Sequence, residues 1–135
     1  MMDYREHRYT SQDGLSLYYR VYGACQSHRD RQGRPAILCL PGLTRNSKDF
    51  HGVATHLSNQ HTLYCPDYRG RGQSDYDLDL KNYTPATYLN DIRHLLAVND
   101  IHRVVIIGTS LGGLLGMAMN VVAPTVIAGL VMNDV

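Results

Sequence analysis

Residues 104–113 read Val-Val-Ile-Ile-Gly-Thr-Ser-Leu-Gly-Gly. Four β-branched residues in succession are typical of a strand that is buried on both faces of a parallel sheet. The run breaks at Gly108, and the residues from Leu111 to Val122 favour a helix, which Pro124 stops. This stretch therefore predicts a buried strand, a sharp turn and a helix, the repeating unit of an α/β sheet.

The turn itself carries a motif, Gly-x-Ser-x-Gly, centred on Ser110. On a strand-to-helix turn this motif is typical of a nucleophile elbow, in which the strained serine projects its hydroxyl above the sheet. Gly108 and Gly112 leave room for the strand and the helix to approach each other, and the helix N-terminus offers N–H groups and a positive dipole end to an oxyanion. The alternative is an ordinary serine in a glycine-rich turn. We take Ser110 as the candidate nucleophile.

Length and charge limit the classes of protein that fit. The chain has 135 residues, enough for a single domain with a hydrophobic core over residues 1–135. A formal net charge of +1 gives no electrostatic basis for binding nucleic acid or a membrane surface. The charged N-terminus precedes no apolar core, so we expect no signal peptide and a cytoplasmic protein. The uncharged run between Arg103 and Asp134 is divided by Gly and Pro into pieces too short to span a membrane.

The three cysteines are Cys25, Cys39 and Cys65. Two of them lie inside apolar, strand-like segments, which predicts reduced, buried thiols rather than a disulfide framework. A bridge between Cys39 and Cys65 on neighbouring strands is the alternative.

The rest of the chain predicts a β-hairpin followed by alternating strands and helices. An Asp-Gly turn joins the hairpin strands, residues 24–34 are a polar loop, and Thr84-Pro85 is typical of a helix start. The further predicted strands are 4–10, 15–22, 36–40, 62–65 and 125–132. One further helix is predicted from Lys48 to about Asn59, with Ser47 as its cap. Another is predicted from Thr84 to Asn99. This order indicates an α/β fold with a doubly wound, mostly parallel sheet of about six strands and three helices.

Two loops follow strands at the edge where open parallel sheets bind ligands. Residues 41–47 begin with Pro-Gly, and Gly42 allows the backbone to approach a substrate closely. Arg45 and Asn46 are candidates for contacting a polar substrate group, the alternative being ordinary loop surface. Residues 67–75 contain glycines, but their spacing does not match a phosphate-binding loop. We expect Asp67 and Arg69 to tie that loop to the sheet.

Histidine spacing does not indicate a metal site. His51, His56 and His61 are five residues apart, and this spacing turns each by roughly 140° from the last on a helix, so they share no face. We expect neither a metal nor a cofactor.

With these loops placed, the sequence resembles the α/β-hydrolase family over nearly its whole length. The resemblance rests on Pro41-Gly42-Leu43, on Asp67-x-Arg-Gly-x-Gly-x-Ser-Asp75 and on the Ser110 motif, in the family's order. It implies that Ser110 is the nucleophile and that the N–H groups of Leu43 and Leu111 form the oxyanion hole. The implied reaction is hydrolysis of a small-molecule ester, lactone or similar carboxylic acid derivative. A serine at this position argues against the dehalogenase and epoxide-hydrolase branches, but does not separate esterase, lactonase, carbon–carbon-bond hydrolase, acyltransferase or cofactor-free haloperoxidase.

The chain departs from the family after Ser110. The family's triad continues with an acid and then a histidine, whereas all seven histidines here precede Ser110. We therefore expect the N-terminal part of a hydrolase domain, inactive alone, without its lid and last strands. Asp134 is the candidate acid. The alternative is that it is a strand-end aspartate whose carboxylate accepts backbone hydrogen bonds. The alternative function is a truncated, non-catalytic scaffold that binds a ligand or partner. We expect the last strand to be an apolar edge that pairs with the missing C-terminal part or with a second copy.

Overall fold

The computed structural model describes residues 4–23 and 34–133, which form one six-stranded sheet with three α-helices. Cys25, Asp134 and most of the loop predicted at 24–34 lie outside these ranges. The strands are β1 (Tyr4–Thr10), β2 (Ser16–Tyr22), β3 (Ala36–Leu40), β4 (Leu63–Pro66), β5 (Val104–Thr109) and β6 (Ile127–Asn133), and the helices are α1 (His51–Leu57), α2 (Pro85–Val98) and α3 (Leu111–Val122).

The strand order in the sheet is β1-β2-β4-β3-β5-β6. β1 and β2 form the antiparallel hairpin, β2 is antiparallel to β4, and β3, β4, β5 and β6 are mutually parallel. Each connection between parallel strands passes through one helix, as crossover connections require. The predicted doubly wound, mostly parallel sheet with an N-terminal hairpin is confirmed.

The alternation of side chains along β3 shows why both faces of the sheet are covered. Ala36, Leu38 and Leu40 pack on one face with the apolar side chains of α2 and α3. Ile37 and Cys39 point to the other face, where they pack with α1. Since all five residues are buried, β3 lies in the centre of the domain.

β5 is covered less evenly than its four β-branched residues predict. Val104 and Ile106 are buried against α2 and α3, but Val105 and Ile107 are only half-buried. The reason is that α1 packs over β3 and β4, so Val105 and Ile107 lie at the margin of its apolar cluster.

The segment predicted as a helix from Lys48 to Asn59 is divided in two. Residues Ser47–Phe50 form a 3-10 turn, and α1 follows from His51 to Leu57. A 3-10 turn has three residues per turn and shifts the phase of the apolar face. Phe50 and Ala54 are buried, whereas Val53, next to Ala54 in the sequence, is 41% exposed. Three predicted strands also differ in their limits by one or two residues: β2 starts at Ser16, β4 is Leu63–Pro66, and β6 is Ile127–Asn133, after a 3-10 turn at Pro124–Val126.

Cys39 and Cys65 are free thiols on neighbouring strands, and both are fully buried. The prediction of reduced thiols is confirmed for these two residues. A hydrogen bond with Cys39, together with burial, raises the pKa of the Cys65 thiol well above its usual value. Because the thiolate is the reactive form of cysteine, the raised pKa and the burial of Cys65 both disfavour its reaction.

None of the helices in residues 4–23 and 34–133 combines the length and apolar character that crossing a bilayer requires.

Candidate active site

The backbone of Ser110 has the strained geometry of an elbow. Its φ of 53° and ψ of −113° place a non-glycine residue in a sparsely populated region. β5 ends at Thr109 and α3 begins at Leu111, so Ser110 is the whole connection between them. The Ser110 N–H donates to the Asn133 carbonyl at 3.0 Å, and the Ser110 carbonyl accepts from Gly113 N–H at 3.0 Å. These bonds hold the turn to β6 on one side and to α3 on the other.

The Ser110 side chain is exposed, and its hydroxyl does not cap α3. Within residues 4–23 and 34–133 the hydroxyl forms no hydrogen bond. It therefore projects from the carboxyl edge of the sheet with its lone pairs and its proton free for another group. This is the arrangement that a serine nucleophile needs before its base is in place.

Gly108 and Gly112 are required by close contact between backbones. A Cβ built on Gly108 would lie 2.5 Å from the Gly112 carbonyl carbon, and one built on Gly112 would lie 2.0 Å from the Leu40 carbonyl oxygen. The atoms in the way are main-chain atoms of α3 and β3, which cannot rotate aside. The steric role predicted for these two glycines is confirmed.

The loop after β3 lies beside Ser110. A Cβ built on Gly42 would lie 3.7 Å from the Ser110 Cβ and 3.8 Å from the Thr109 carbonyl oxygen. The parallel pairing of β3 and β5, with Leu40 opposite Gly108, brings the two loops to the same edge. Two segments that are almost seventy residues apart in sequence thus form one site.

Two backbone amides of this site are available to a ligand. In the part of the chain that the structure describes, neither the Leu43 N–H nor the Leu111 N–H donates to any acceptor. Leu111 is the first residue of α3, where N–H groups have no partner within the helix and the helix dipole is positive. In the described residues, the N–H groups of Leu43 and Leu111 are therefore available as the donors of the predicted oxyanion hole.

The side chains of Arg45 and Asn46 already have protein partners. Arg45 Nε donates to Asp49 at 2.8 Å, and Asn46 Oδ1 accepts from Lys48 N–H at 2.9 Å. Asn46 is therefore the cap of the 3-10 turn, and the prediction that Ser47 caps this segment is wrong. Ser47 is buried instead, and its N–H donates to Asp67. Contact of Arg45 or Asn46 with a substrate stays a prediction.

The loop at residues 67–75, here called the β4 loop, lies under the loop after β3 and holds it at three points. Asp67 Oδ1 accepts from Ser47 N–H at 2.7 Å. The Tyr68 hydroxyl donates to the Pro41 carbonyl at 2.7 Å, and Arg71 Nε donates to the Leu43 carbonyl at 3.0 Å. Burial raises the pKa of Tyr68, so its hydroxyl stays protonated as a donor. The roles of Tyr68 and Arg71 were not predicted, because no local pattern reports a hydrogen bond across 28 residues.

The guanidinium of Arg69 ties the β4 loop to the hairpin turn of the sheet, as predicted, and also to α2 and to Asp77 just beyond the loop. Its side chain is 1% exposed and forms ion pairs with Asp13, Asp77 and Asp91 at 2.7–2.8 Å. Asp13 lies in the hairpin turn and Asp91 in α2. Asp67 does not pair with Arg69, because its two oxygens accept backbone N–H groups of Ser47 and Gln73.

Replacement of Asp13 by asparagine is expected to lower the free energy of unfolding by less than about 1 kcal/mol at pH 7, because 45% of its side chain is exposed. Hydrogen bonds from Arg69 lower the pKa of Asp13 from 3.8 to about 2. Since this pKa is lower in the folded state, the contribution is complete above the unfolded value and is lost as the pH falls toward 2. Urea denaturation of both forms from neutral to acid pH measures it. If the difference in free energy of unfolding between wild type and Asp13→Asn stayed the same in acid, the contribution of Asp13 would come from packing rather than from its charge.

Among residues 4–23 and 34–133, Ser110 has neither a histidine nor an acid as a hydrogen-bond partner of its hydroxyl. None of the six histidines in the described ranges forms a hydrogen bond or ring contact with Ser110. His51, for example, forms a hydrogen bond with the Tyr22 hydroxyl at 2.9 Å, and His102 forms one with the Asp100 carboxylate at 2.8 Å. The candidate acid Asp134 lies outside the described ranges, next to Asn133. In the same ranges no three His, Cys, Asp or Glu side chains are grouped as metal ligands.

Comparison with known proteins gives a consistent set of matches. A family model for the alpha/beta hydrolase fold matches residues 35–135. The chain is 36% identical over 99 residues to a 3-hydroxybutyrate-oligomer hydrolase of Cupriavidus necator, covering 73% of this chain and 34% of that protein. It is 31% identical over 104 residues to a fluoroacetate dehalogenase of a Burkholderia species, covering 75% of this chain and 34% of that protein.

A solved structure extends the match over the whole chain. The crystal structure of an alpha/beta hydrolase from Novosphingobium aromaticivorans superposes with a TM-score of 0.91 at 48% identity. The match covers 100% of this chain and 45% of that one. The chain thus spans about a third of the length of the two curated relatives and less than half of this structural neighbour.

Proposed function

Because the chain belongs to the α/β-hydrolase fold family, we propose that it supplies the nucleophile and the oxyanion-binding amides of a serine hydrolase. The observation that carries the proposal is the exposed hydroxyl of Ser110, which lies on a turn with φ 53° and has no hydrogen-bond partner among residues 4–23 and 34–133. The N–H groups of Leu43 and Leu111, which have no acceptor in the described part of the chain, add two donors from the loop after β3 and from the start of α3. Hydroxyl and donors belong to segments that meet at the carboxyl edge of the sheet, where ligands of α/β proteins bind.

The proposed reaction is acyl transfer to water. Ser110 Oγ forms a bond to the carbonyl carbon, its proton passes to a base, and the negative oxygen is held by the N–H groups of Leu43 and Leu111. The C–O bond to the alcohol then breaks, and the alcohol takes the proton. Water hydrolyses the acyl-serine by the same route. The base comes from outside residues 4–23 and 34–133, since no histidine there contacts Ser110.

The proposed substrate is a small carboxylic ester or a related carboxylic acid derivative. Support comes from the Cupriavidus relative, whose name is 3-hydroxybutyrate-oligomer hydrolase. A hydroxy acid that is oligomerised through its own two functional groups is a chain of esters. The fluoroacetate dehalogenase shows that similar chains serve other chemistry, so the serine at position 110 is the feature that favours esters here.

Covalent trapping of Ser110 tests this proposal. An alkyl fluorophosphonate is expected to phosphonylate Ser110 in the full-length protein, with fluoride as the leaving group, and mass spectrometry of the tryptic digest locates the adduct. Ser110→Ala is expected to lose the label, whereas Ser58→Ala, which removes the hydroxyl of the residue that follows α1, keeps it. Labelling of another residue, or none in an intact protein, would favour the non-catalytic scaffold instead.

We also propose that β6 pairs with a further strand, from another part of the protein or from a second copy. Among the residues described, β6 has a neighbouring strand on one side only. Val131 and Met132 on this strand are 54% and 46% exposed. An exposed apolar edge is a template for strand addition.

A further inference from the structure

We propose that Arg71 and Tyr68 are positioning residues that fix the orientation of the Gly42–Leu43 peptide, whose N–H is the oxyanion donor. This inference rests on the proposed function, since it assigns the supports of the same site. Neither side chain forms a hydrogen bond with Ser110. Both act through the backbone of the loop after β3.

Three successive carbonyls of that loop are held. The Pro41 carbonyl accepts from the Tyr68 hydroxyl at 2.7 Å, the Gly42 carbonyl from Arg45 N–H at 3.1 Å, and the Leu43 carbonyl from Arg71 Nε at 3.0 Å. In a trans peptide the carbonyl and the N–H point in opposite directions. Holding the Gly42 carbonyl toward Arg45 therefore directs the Leu43 N–H to the other side, and the bonds at Pro41 and Leu43 fix the two adjoining peptides.

The loop needs such support because its sequence does not supply it. Gly42 has no Cβ and so tolerates backbone conformations that would flip the following peptide. Leu43 is 52% exposed, so its side chain adds little anchoring. A flipped peptide would present a carbonyl oxygen, instead of an N–H, to the negative charge of the intermediate.

The Arg71 guanidinium is itself held in place. Nη1 donates to the Arg69 carbonyl at 3.1 Å and to the Tyr88 hydroxyl at 3.0 Å. Its central carbon lies 4.9 Å from the centre of the Tyr88 ring, a cation–π distance. Tyr68 stacks on the same ring, with centroids 5.5 Å apart. Since Tyr88 is a buried residue of α2, both supports rest on one rigid helix.

Kinetics with a matched pair of substrates test the inference. The full-length protein is assayed with p-nitrophenyl butyrate and with its thionoester, in which sulfur replaces the carbonyl oxygen. Sulfur is a weaker hydrogen-bond acceptor, so an intact oxyanion hole prefers the oxygen ester, and a disordered hole loses that preference. Arg71→Met is expected to lower kcat for the oxygen ester about 10- to 100-fold, less than the full loss of a donor, with little change in KM. The ratio of kcat/KM for the oxygen ester to kcat/KM for the thionoester is expected to fall in the same variant.

Three further variants give the inference its controls. Arg71→Lys keeps a cationic donor and is expected to recover part of the ratio, while Tyr68→Phe removes one hydroxyl, keeps the stacking and is expected to lower the ratio. Arg93→Met alters an exposed arginine of α2 and is expected to match the wild type. Suppose that Arg71→Met and Tyr68→Phe fold and keep the wild-type ratio of kcat/KM for the oxygen ester to kcat/KM for the thionoester, while Ser110→Ala is inactive. That result would overturn the positioning role and leave the proposed function standing. Turnover that persists in Ser110→Ala would overturn this inference together with the proposed function.

Discussion

Ser110→Ala is expected to lower kcat for p-nitrophenyl butyrate by roughly a million-fold in the full-length protein, the loss seen when a serine triad loses its nucleophile. The exposed Oγ is the only atom of this side chain that can attack a carbonyl, and it forms no hydrogen bond in the residues described. The variant is also expected to fold normally, because Oγ has no hydrogen-bond partner to lose within residues 4–23 and 34–133. The turn is held through the backbone, by Ser110 N–H to Asn133 and by Gly113 N–H to Ser110.

Stopped-flow or steady-state release of p-nitrophenolate measures this effect, and circular dichroism confirms that the variant folds. Ser58→Ala is the control for loss of a hydroxyl elsewhere in the domain. Retention of more than about one hundredth of the wild-type kcat by Ser110→Ala would exclude Ser110 as the nucleophile. The 135-residue chain is expected to show no turnover above its own Ser110→Ala form. Turnover that depended on Ser110 there would mean that this chain supplies the base.

Gly112→Ala is expected to lower the free energy of unfolding by more than about 3 kcal/mol, above the usual range for an extra methyl group in a packed core. The new Cβ would lie 2.0 Å from the Leu40 carbonyl oxygen and 2.6 Å from its carbon. Relief requires α3 to move away from β3, which separates Leu111 and Leu115 from the core. Both the stability of the domain and the distance between the two proposed oxyanion donors depend on this contact.

Urea denaturation of the chain, followed by circular dichroism, measures the loss, and Gly52→Ala is the matched control. Gly52 lies in α1, and a Cβ there has nothing within 4 Å. Alanine is the better helix former, so Gly52→Ala is expected to leave stability unchanged or to raise it by up to about 1 kcal/mol. A Gly112→Ala protein as stable as Gly52→Ala would show that the sheet and α3 are not in close contact.

The sequence was informative wherever one local pattern determines one local structure. The four β-branched residues before Gly108, the glycines around Ser110 and the Thr84-Pro85 start of α2 were all located by such patterns, and the structure confirms them. Thr84 Oγ1 accepts from Thr87 N–H at 3.3 Å, as an N-cap should. Predictions failed where two local signals competed, as at residues 46–48, where the side chain of Asn46 rather than that of Ser47 caps the turn.

The sequence by itself determined the class of fold and the position of Ser110, because strand, turn and helix signals are properties of neighbouring residues. Only the tertiary structure decided which residues support the site. Pairing of β3 with β5 brings Gly42 beside Ser110, and burial of the β4 loop places Tyr68 and Arg71 under the carbonyls of Pro41 and Leu43. These contacts join residues 27 and 28 positions apart, and a single hydrogen bond leaves no periodic trace in the sequence. The donor and the acceptor of such a hydrogen bond can be identified only in the folded structure, where packing brings them together.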